Sequence, residues 1–141
     1  MPSRKLEDLD PLVAERARTL IVWADSEGIE ILVTSTMRSF EEQARLYALG
    51  RSAPGAIVTN AEPGESWHNF GLAFDVVPLV NGKPIWDSPM WDRIGELGKR
   101  AGLIWGGDFR SFKDKPHFEF HPNLTLAEAN QRRDSGQRLL G

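Results

Sequence analysis

Residues Ser66–Val80 read Ser-Trp-His-Asn-Phe-Gly-Leu-Ala-Phe-Asp-Val-Val-Pro-Leu-Val. Within this stretch, Gly71–Val77 is apolar on both faces except at Asp75, which is typical of a strand in the middle of a sheet. An isolated ionised carboxylate buried there would cost several kcal/mol unless a cation or dense hydrogen bonding compensates it. Asp75 is therefore either the partner of a buried arginine or a metal ligand. His68, seven residues earlier, favours the metal.

The composition limits which residues can form such a site. The chain has 141 residues, a formal net charge of −3, three histidines and no cysteine. A chain of this length buries about two-thirds of its surface on folding, so we expect one catalytic domain over residues 1–141 and no separate wall-binding domain. The lack of cysteine excludes disulfides, thiolate zinc sites and a cysteine nucleophile. Any metal must be bound by His, Asp or Glu.

Charge and hydropathy exclude two classes of partner. Residues 1–70 carry 7 basic and 11 acidic side chains, and residues 71–141 carry 10 and 9. Neither half provides the basic stripe that phosphate binding requires, so no nucleic-acid partner is expected. The strongly apolar stretch Gly71–Val80 is interrupted by Asp75 and Pro78, so no membrane insertion is expected. The first residues lead directly into an acidic, helix-like pattern without an apolar signal core. We therefore expect a chain made in the cytoplasm.

The pattern along the chain predicts an α+β fold, with a small central antiparallel sheet flanked by helices. Capping signals predict helices that begin after Asp10, Ser39, Ser88 and Thr125. Strands are expected at Ile29–Thr36, Leu72–Val80, Lys83–Trp86, Leu103–Trp105 and His117–Phe120. Arg51–Ser66 is rich in Gly, Pro, Ala, Ser and Asn without periodicity, which indicates a long functional or mobile loop.

A second group of candidate ligands lies near the last predicted strand. Alternation places His117, Glu119 and His121 on one face and directs Phe118 toward the core. Two imidazoles and one carboxylate would leave the fourth position of a tetrahedral zinc site open, as in catalytic rather than structural zinc sites. His121 ranks behind His117 as a ligand because it precedes Pro122 at the strand end.

These residues together resemble a known family. Ser66, His68, Gly71, Ala73 and Asp75 fit the SxHxxGxAxD signature of the VanY/VanX-like zinc peptidases, the M15 peptidase family. The downstream stretches 106–109 and 114–119 resemble the L-alanyl-D-glutamate endopeptidase branch, which includes bacteriophage endolysins. The stretch 34–43 resembles the arginine-bearing segment of the same family. The resemblance covers roughly residues 31–120, and it implies the hedgehog/D-Ala-D-Ala-peptidase type of fold.

The resemblance implies a role for each matching residue. His68, Asp75 and His117 would bind Zn²⁺, and Asp114 would be the general base. Asp114 stands where dipeptidase relatives have Glu, and a carboxylate beside the ligands can reach a water there without binding the metal. Glu119 is the second candidate for the base, although a role in orienting a ligand imidazole is favoured.

Three further side chains have open roles. Arg38 would hold a substrate carbonyl or carboxylate and stabilise charge that develops during attack. The alternative for Arg38 is a surface ion pair with Glu41 or Glu42. Ser66 would bind substrate or simply terminate the loop. Trp105, next to two glycines, is expected to form a wall of the groove.

The implied function is hydrolysis of the L-alanyl-D-glutamate bond in the stem peptide of peptidoglycan by a zinc metallopeptidase. A D-alanyl-D-alanine carboxypeptidase or dipeptidase on the same scaffold is one alternative, and a non-catalytic peptidoglycan-binding module is another. The resemblance to endolysins implies bacterial cell lysis by a monomer that waits in the host cytoplasm. Release to the cell wall would then depend on a holin-type partner.

Overall fold

A computed structural model describes residues 2–141 as four helices and one five-stranded sheet. The helices are α1 (Pro11–Ser26), α2 (Phe40–Ala48), α3 (Trp91–Arg100) and α4 (Leu126–Asp134). The strands are β1 (Glu30–Ser35), β2 (Ala73–Val80), β3 (Lys83–Pro84), β4 (Ile104–Trp105) and β5 (His117–Glu119). The predicted α+β class with a small antiparallel sheet is confirmed.

Side-chain caps fix where three of the helices begin, as the sequence predicts. The Asp10 carboxylate accepts the amide hydrogen of Leu12 and starts α1. Ser39 at the start of α2, like Thr125 at the start of α4, forms a complete capping box with the glutamate three residues later. These caps satisfy amide donors that the first helical turn leaves free. The start expected at Ser88 is wrong, because α3 begins at Trp91 and the Ser88 hydroxyl accepts the Met90 amide in the preceding turn.

The sheet positions the functional residues through its register. The strands run in the order β1-β2-β5-β4, all antiparallel, and β3 pairs with the far end of β2. Asp75 on β2 lies directly opposite His117 on β5, and on its other side it pairs with Ser35. A register shift between Val33 and Ser35 lets β1 bend away at this point. Two side chains that lie 42 positions apart in sequence are thereby brought face to face.

Helices α1 and α3 cover the core side of the sheet, and small residues allow close packing there. A Cβ atom on Gly95 would lie 2.3 Å from the Trp105 ring, and one on Gly98 would lie 2.3 Å from the Phe118 ring. Trp105 is buried, and its indole N–H donates to the carbonyl of Lys115. The expectation that Trp105 forms a groove wall is therefore wrong, because its ring packs on α3.

Short 3₁₀ turns are the elements that the pattern did not predict. They span Leu6–Asp8, Trp67–Phe70 and Gly106–Asp108. Two of them position candidate site residues, because His68 lies within the second turn and the third precedes the loop that bears Asp114. Residues 51–66 contain no helix or strand longer than an isolated bridge, as predicted for a long loop. Among residues 2–141, no helix has the length and apolarity needed to cross a membrane.

Candidate metal centre and active-site cleft

His68, Asp75 and His117 form a group whose nitrogen and oxygen donors all lie within 4.8 Å of one another. The Asp75 carboxylate is at the centre: one of its oxygens, Oδ1, lies 3.3 Å from His68 Nε2 and 3.2 Å from His117 Nδ1. Both histidines are buried, and Asp75 is partly buried. The structure thus brings together the three residues that the sequence analysis selects, although their role as ligands stays a prediction.

The outward nitrogen of each imidazole is held by an acceptor. His68 Nδ1 lies 2.8 Å from the carbonyl oxygen of Thr36, and His117 Nε2 lies 2.7 Å from a carboxylate oxygen of Glu119. Because these acceptors require an N–H, the network assigns the proton of a neutral ring to the outward nitrogen. The inward nitrogens then present lone pairs to the Asp75 carboxylate. Three lone-pair donors facing one point fit a cation.

The donor set also indicates the type of cation. Two imidazole nitrogens and a carboxylate oxygen suit a first-row transition metal such as zinc, whereas calcium and magnesium prefer oxygen ligands. Three protein ligands leave a position for water or substrate. The residues present therefore fit a catalytic metal centre.

The pKa values show which side chains of the site are charged when no metal is bound. Burial raises the pKa of Asp75, but hydrogen bonds from His117 and His68 outweigh it and hold that pKa far below its ordinary value. Burial lowers the pKa of His117, yet hydrogen bonds to Asp75 and Glu119 raise the pKa to about 10. In the metal-free protein a proton thus provides the positive charge that the surrounding carboxylates require.

Glu119 links His117 to a second histidine behind the site. Its two carboxylate oxygens contact His117 Nε2 and His121 Nε2, and the His121 ring stacks on Trp67 with centroids 3.9 Å apart. Burial raises the pKa of Glu119, but the two histidines outweigh it and lower the pKa to about 2. Glu119 contacts His117 Nε2, whereas the other ring nitrogen, Nδ1, faces Asp75. This arrangement favours the orienting role over that of base.

Asp114 lies at the rim of the same cleft, on the loop before β5. Its amide donates to the Gly106 carbonyl at 2.9 Å, and its own carbonyl accepts the amide of His117 at 3.1 Å. Burial of its carboxyl raises the pKa of Asp114, whereas electrostatic interactions with His117, His68 and Arg38 lower it. Burial has the larger effect, so the pKa lies above its ordinary value. A carboxylate with a raised pKa is better suited to accept and return a proton near neutral pH.

Arg38 follows β1 and is oriented by Gln43, a residue that the sequence analysis did not single out. Arg38 donates from Nη1 to the Gln43 side-chain oxygen at 3.0 Å, a partner that neither the substrate-binding role nor the alternative pairing with Glu41 or Glu42 includes. Glu41 instead pairs with Arg45. Burial lowers the pKa of Arg38, and nearby carboxylates including Asp75 oppose this effect. Its Nε–H is buried without a hydrogen-bond partner among residues 2–141, although other atoms of Arg38 line the cleft.

Gln43 itself is completely buried and connects Arg38 to the long loop. Its amide nitrogen donates to the carbonyl oxygen of Ala61 at 2.7 Å. The sequence does contain a signal: Gln43 lies three residues from both Phe40 and Leu46, on the apolar stripe of α2. A buried amide on such a stripe must have partners, because an unpaired one would be costly.

Ser66 helps to hold the turn that bears His68. Its hydroxyl accepts the amide hydrogen of His68 at 3.3 Å and caps the 3₁₀ turn that bears this histidine. The same turn is fastened to the segment after β1, because the Arg38 amide donates to the His68 carbonyl. Ser66 also lines the cleft, so its predicted contact with substrate stays a prediction.

The cleft has two connected parts. A cavity of about 330 Å³ surrounds the metal centre, and its lining includes Arg38, Ser66, His68, Asp75, Asp114 and His117. A groove of about 740 Å³ continues from it between residues 57–61 of the long loop and residues 109–113. Val58, Thr59 and Asp114 line both parts. The aromatic residues of the groove are Phe109 and Phe112, which the sequence analysis did not predict.

Comparisons with known proteins agree with this geometry. A family described as D-alanyl-D-alanine carboxypeptidase, a branch of the M15 peptidases, matches residues 59–120. The peptidoglycan L-alanyl-D-glutamate endopeptidase CwlK of Bacillus subtilis (strain 168) is 42% identical over 126 residues, which cover 82% of this chain and 75% of that protein. The sequence is thus that of a known class of peptidases. The chain belongs to the M15 peptidase family.

Two solved structures share the fold. The L-Ala D-Glu endopeptidase ChiX of Serratia marcescens has a TM-score of 0.64 at 26% identity, with 96% of this chain and 92% of that chain covered. The vancomycin resistance D,D-pentapeptidase VanY, solved in complex with Zn(II), has a TM-score of 0.58 at 19% identity and covers 93% of this chain and 81% of its own. The second likeness shows the fold alone.

Proposed function

We propose that this protein is a zinc metallopeptidase that hydrolyses the L-alanyl-D-glutamate bond of peptidoglycan stem peptides. The observation that carries the proposal is the convergence of His68, Asp75 and His117 beside Asp114 and Arg38 in one cleft. The relative with 42% identity is named for this activity, which supports the choice of bond. When bound by His68, Asp75 and His117, zinc supplies Lewis-acid chemistry that polarises a carbonyl and acidifies water.

The remaining chemistry is performed by side chains of the cleft. Asp114 takes the proton of the attacking water and later returns it to the leaving amine, for which its raised pKa is suited. Arg38 lines the cleft and donates hydrogen bonds to the scissile carbonyl oxygen as negative charge develops there. Gln43 keeps the guanidinium in position, and Glu119 keeps the His117 ring in position.

A D-alanyl-D-alanine carboxypeptidase is the second candidate. The description of the family that matches residues 59–120 favours it. The Asp at position 114, where the dipeptidase relatives have Glu, supports the endopeptidase instead. The two functions differ in their products: the endopeptidase separates whole stem peptides after alanine, whereas the carboxypeptidase removes one terminal residue.

Mass spectrometry of digested peptidoglycan tests the proposal directly. We expect the zinc-loaded protein to release peptides that begin with D-glutamate, and we expect a chelator to stop the release until zinc is restored. Loss of a single terminal alanine would identify the carboxypeptidase. Binding to peptidoglycan without any new fragment would identify a non-catalytic binding module.

The biological setting stays a prediction from the sequence resemblance. In that setting the protein is a monomer that acts in bacterial cell lysis, held in the cytoplasm until a holin-type partner opens the membrane. Size-exclusion chromatography tests the monomer, and lysis of cells that express the protein with and without a membrane-permeabilising partner tests the release.

A further inference from the structure

The proposed chemistry does not use the groove of about 740 Å³ that lies beside the candidate metal centre. Residues 57–61 form one wall, and Phe109, Phe112 and Lys113 form the other. Ile57, Val58 and Phe112 have 57%, 60% and 80% of their surface exposed, which is high for apolar residues on a small domain. Exposed apolar side chains that line a concave surface are typical of a ligand-binding groove.

Asp114 determines which half of the substrate enters this groove. Asp114 lines both the metal cavity and the groove, so it lies at the junction between them. Under the proposed function, on which this inference rests, Asp114 returns a proton to the leaving amine and must therefore lie beside the nitrogen of the scissile bond. The half of the substrate that begins with this nitrogen then extends toward the groove.

The charges of the groove match the chemistry of that half. A glutamyl residue inside a peptide uses one carboxyl for the next bond and keeps the other as a free carboxylate a few atoms from the scissile nitrogen. Lys113 is the cation among the lining residues, and it directly precedes Asp114 in the chain. Its ammonium donates one hydrogen bond, to the Gly107 carbonyl at 3.3 Å. An ammonium has three donors, so two remain for a ligand.

The groove also has an acidic lining residue besides Asp114. It is Glu65, one of whose carboxylate oxygens accepts the amide hydrogen of Glu62 at 2.9 Å. A substrate carboxylate is repelled by Glu65 and attracted to Lys113. We propose that the groove is the subsite for the leaving-group half of the stem peptide, and that Lys113 binds the free carboxylate of its glutamyl residue.

Two synthetic peptides test this proposal. Both contain the L-alanyl-D-glutamyl bond, and they differ only in that the free glutamyl carboxylate of one is a carboxamide in the other. We expect the zinc-loaded wild-type protein to prefer the carboxylate peptide by about 2- to 5-fold in kcat/KM, mainly through KM, because the ion pair is made already in the bound substrate. In Lys113→Met the two peptides should be hydrolysed at similar rates, and Lys113→Arg should restore part of the preference.

Lys115→Met is the matched control. Lys115 is an exposed lysine two positions further along the same loop, and its side chain does not line the groove. This variant should keep the wild-type preference, so that a general loss of positive charge is distinguished from loss of the contact. The proposal is overturned if Lys113→Met keeps the wild-type ratio, or if Lys115→Met abolishes it equally.

The same assay separates this inference from the proposed function. If the wild-type protein hydrolyses both peptides after alanine but without preference, the endopeptidase assignment stands and the role of Lys113 is rejected. If it hydrolyses neither peptide at this bond and peptidoglycan digests also lack the cut, the proposed function is rejected together with the subsite.

Discussion

Gly106 and Asp114 are in backbone contact that leaves no space for a side chain at position 106. The Asp114 amide donates to the Gly106 carbonyl, and a Cβ atom on Gly106 would lie 2.2 Å from the Asp114 carbonyl oxygen and 3.0 Å from His117 Cβ. The 3₁₀ turn at 106–108 thus supports both the proposed base and one proposed ligand. We infer that the position of Asp114 depends on the glycine.

Gly106→Ala should therefore impair catalysis more than stability. Any relief of the overlap moves the Asp114 backbone, and a misplacement of about 1 Å in a catalytic group costs on the order of 100-fold in rate. Gly82→Ala is the control, because Gly82 has a φ of 75° but open space around its Cβ position. We expect the control to lower the melting temperature without lowering kcat. Wild-type kcat in Gly106→Ala would contradict the supporting role.

Asp114→Ala and His68→Ala should separate chemistry from metal binding. The Asp114 carboxylate is not one of the three convergent donors, whereas His68 Nε2 is. We expect Asp114→Ala to bind zinc with nearly wild-type affinity but to lose about 10²- to 10⁴-fold in kcat. His68→Ala should lose both zinc binding, measured by calorimetry, and activity, measured by peptide hydrolysis. An active Asp114→Ala protein would refute its assignment as base.

The sequence selects three residues that the structure brings together, His68, Asp75 and His117, because the signals for them are local. Asp75 in an apolar strand and His117 before an alternating strand both carry their chemistry in their immediate surroundings, and the antiparallel register then pairs them. Gln43 and the groove were not predicted because their roles depend on contacts between distant segments. Gln43 bonds to Ala61, 18 positions away, and the groove forms between two loops without periodic pattern. The prediction that Trp105 forms a groove wall is wrong for the same reason, because its ring packs against Gly95 on another element, α3.

Gln43→Leu should disturb Arg38 and the long loop together. Leucine has nearly the volume of glutamine and suits the apolar stripe of α2. It leaves the Ala61 carbonyl and the Arg38 Nη1 without their hydrogen-bond partner. Loss of a buried hydrogen-bond partner costs about 1–3 kcal/mol, so the melting temperature should fall by several degrees. We also expect kcat/KM to fall by about 10-fold or more, because Arg38 is no longer oriented. Gln131→Leu on the exposed side of α4 is the control.

Glu119→Gln should weaken metal binding without removing a ligand. Glu119 accepts from His117 Nε2 at 2.7 Å and so increases the basicity of the nitrogen that faces the centre. Residues in this position typically contribute 10- to 100-fold to metal affinity. We expect a loss of that size in a zinc competition assay, while Glu30→Gln on the exposed side of β1 should have no effect. Unchanged zinc affinity in Glu119→Gln would show that the contact is only structural.

The metal-free protein should be most stable at mildly acidic pH. The pKa of His117 is raised from 6.5 to about 10, so the stability that its protonated form contributes is complete below pH 6.5 and is lost as the pH rises toward 10. The pKa of Glu119 is lowered from 4.5 to about 2, so its contribution is present above pH 4.5 and is lost as the pH falls toward 2.

Melting curves of chelator-treated protein test this pH dependence. The melting temperature should be highest between about pH 4.5 and 6.5. It should decline toward pH 10, because the His117 ring, which contacts both the Asp75 and the Glu119 carboxylates, then loses its proton and with it its positive charge. In zinc-loaded protein the metal replaces that proton, so the alkaline decline should be much smaller. Metal-free His117→Gln should lack the decline as well. Equal alkaline slopes in the metal-free and zinc-loaded proteins would mean that proton and metal do not compete for the same site.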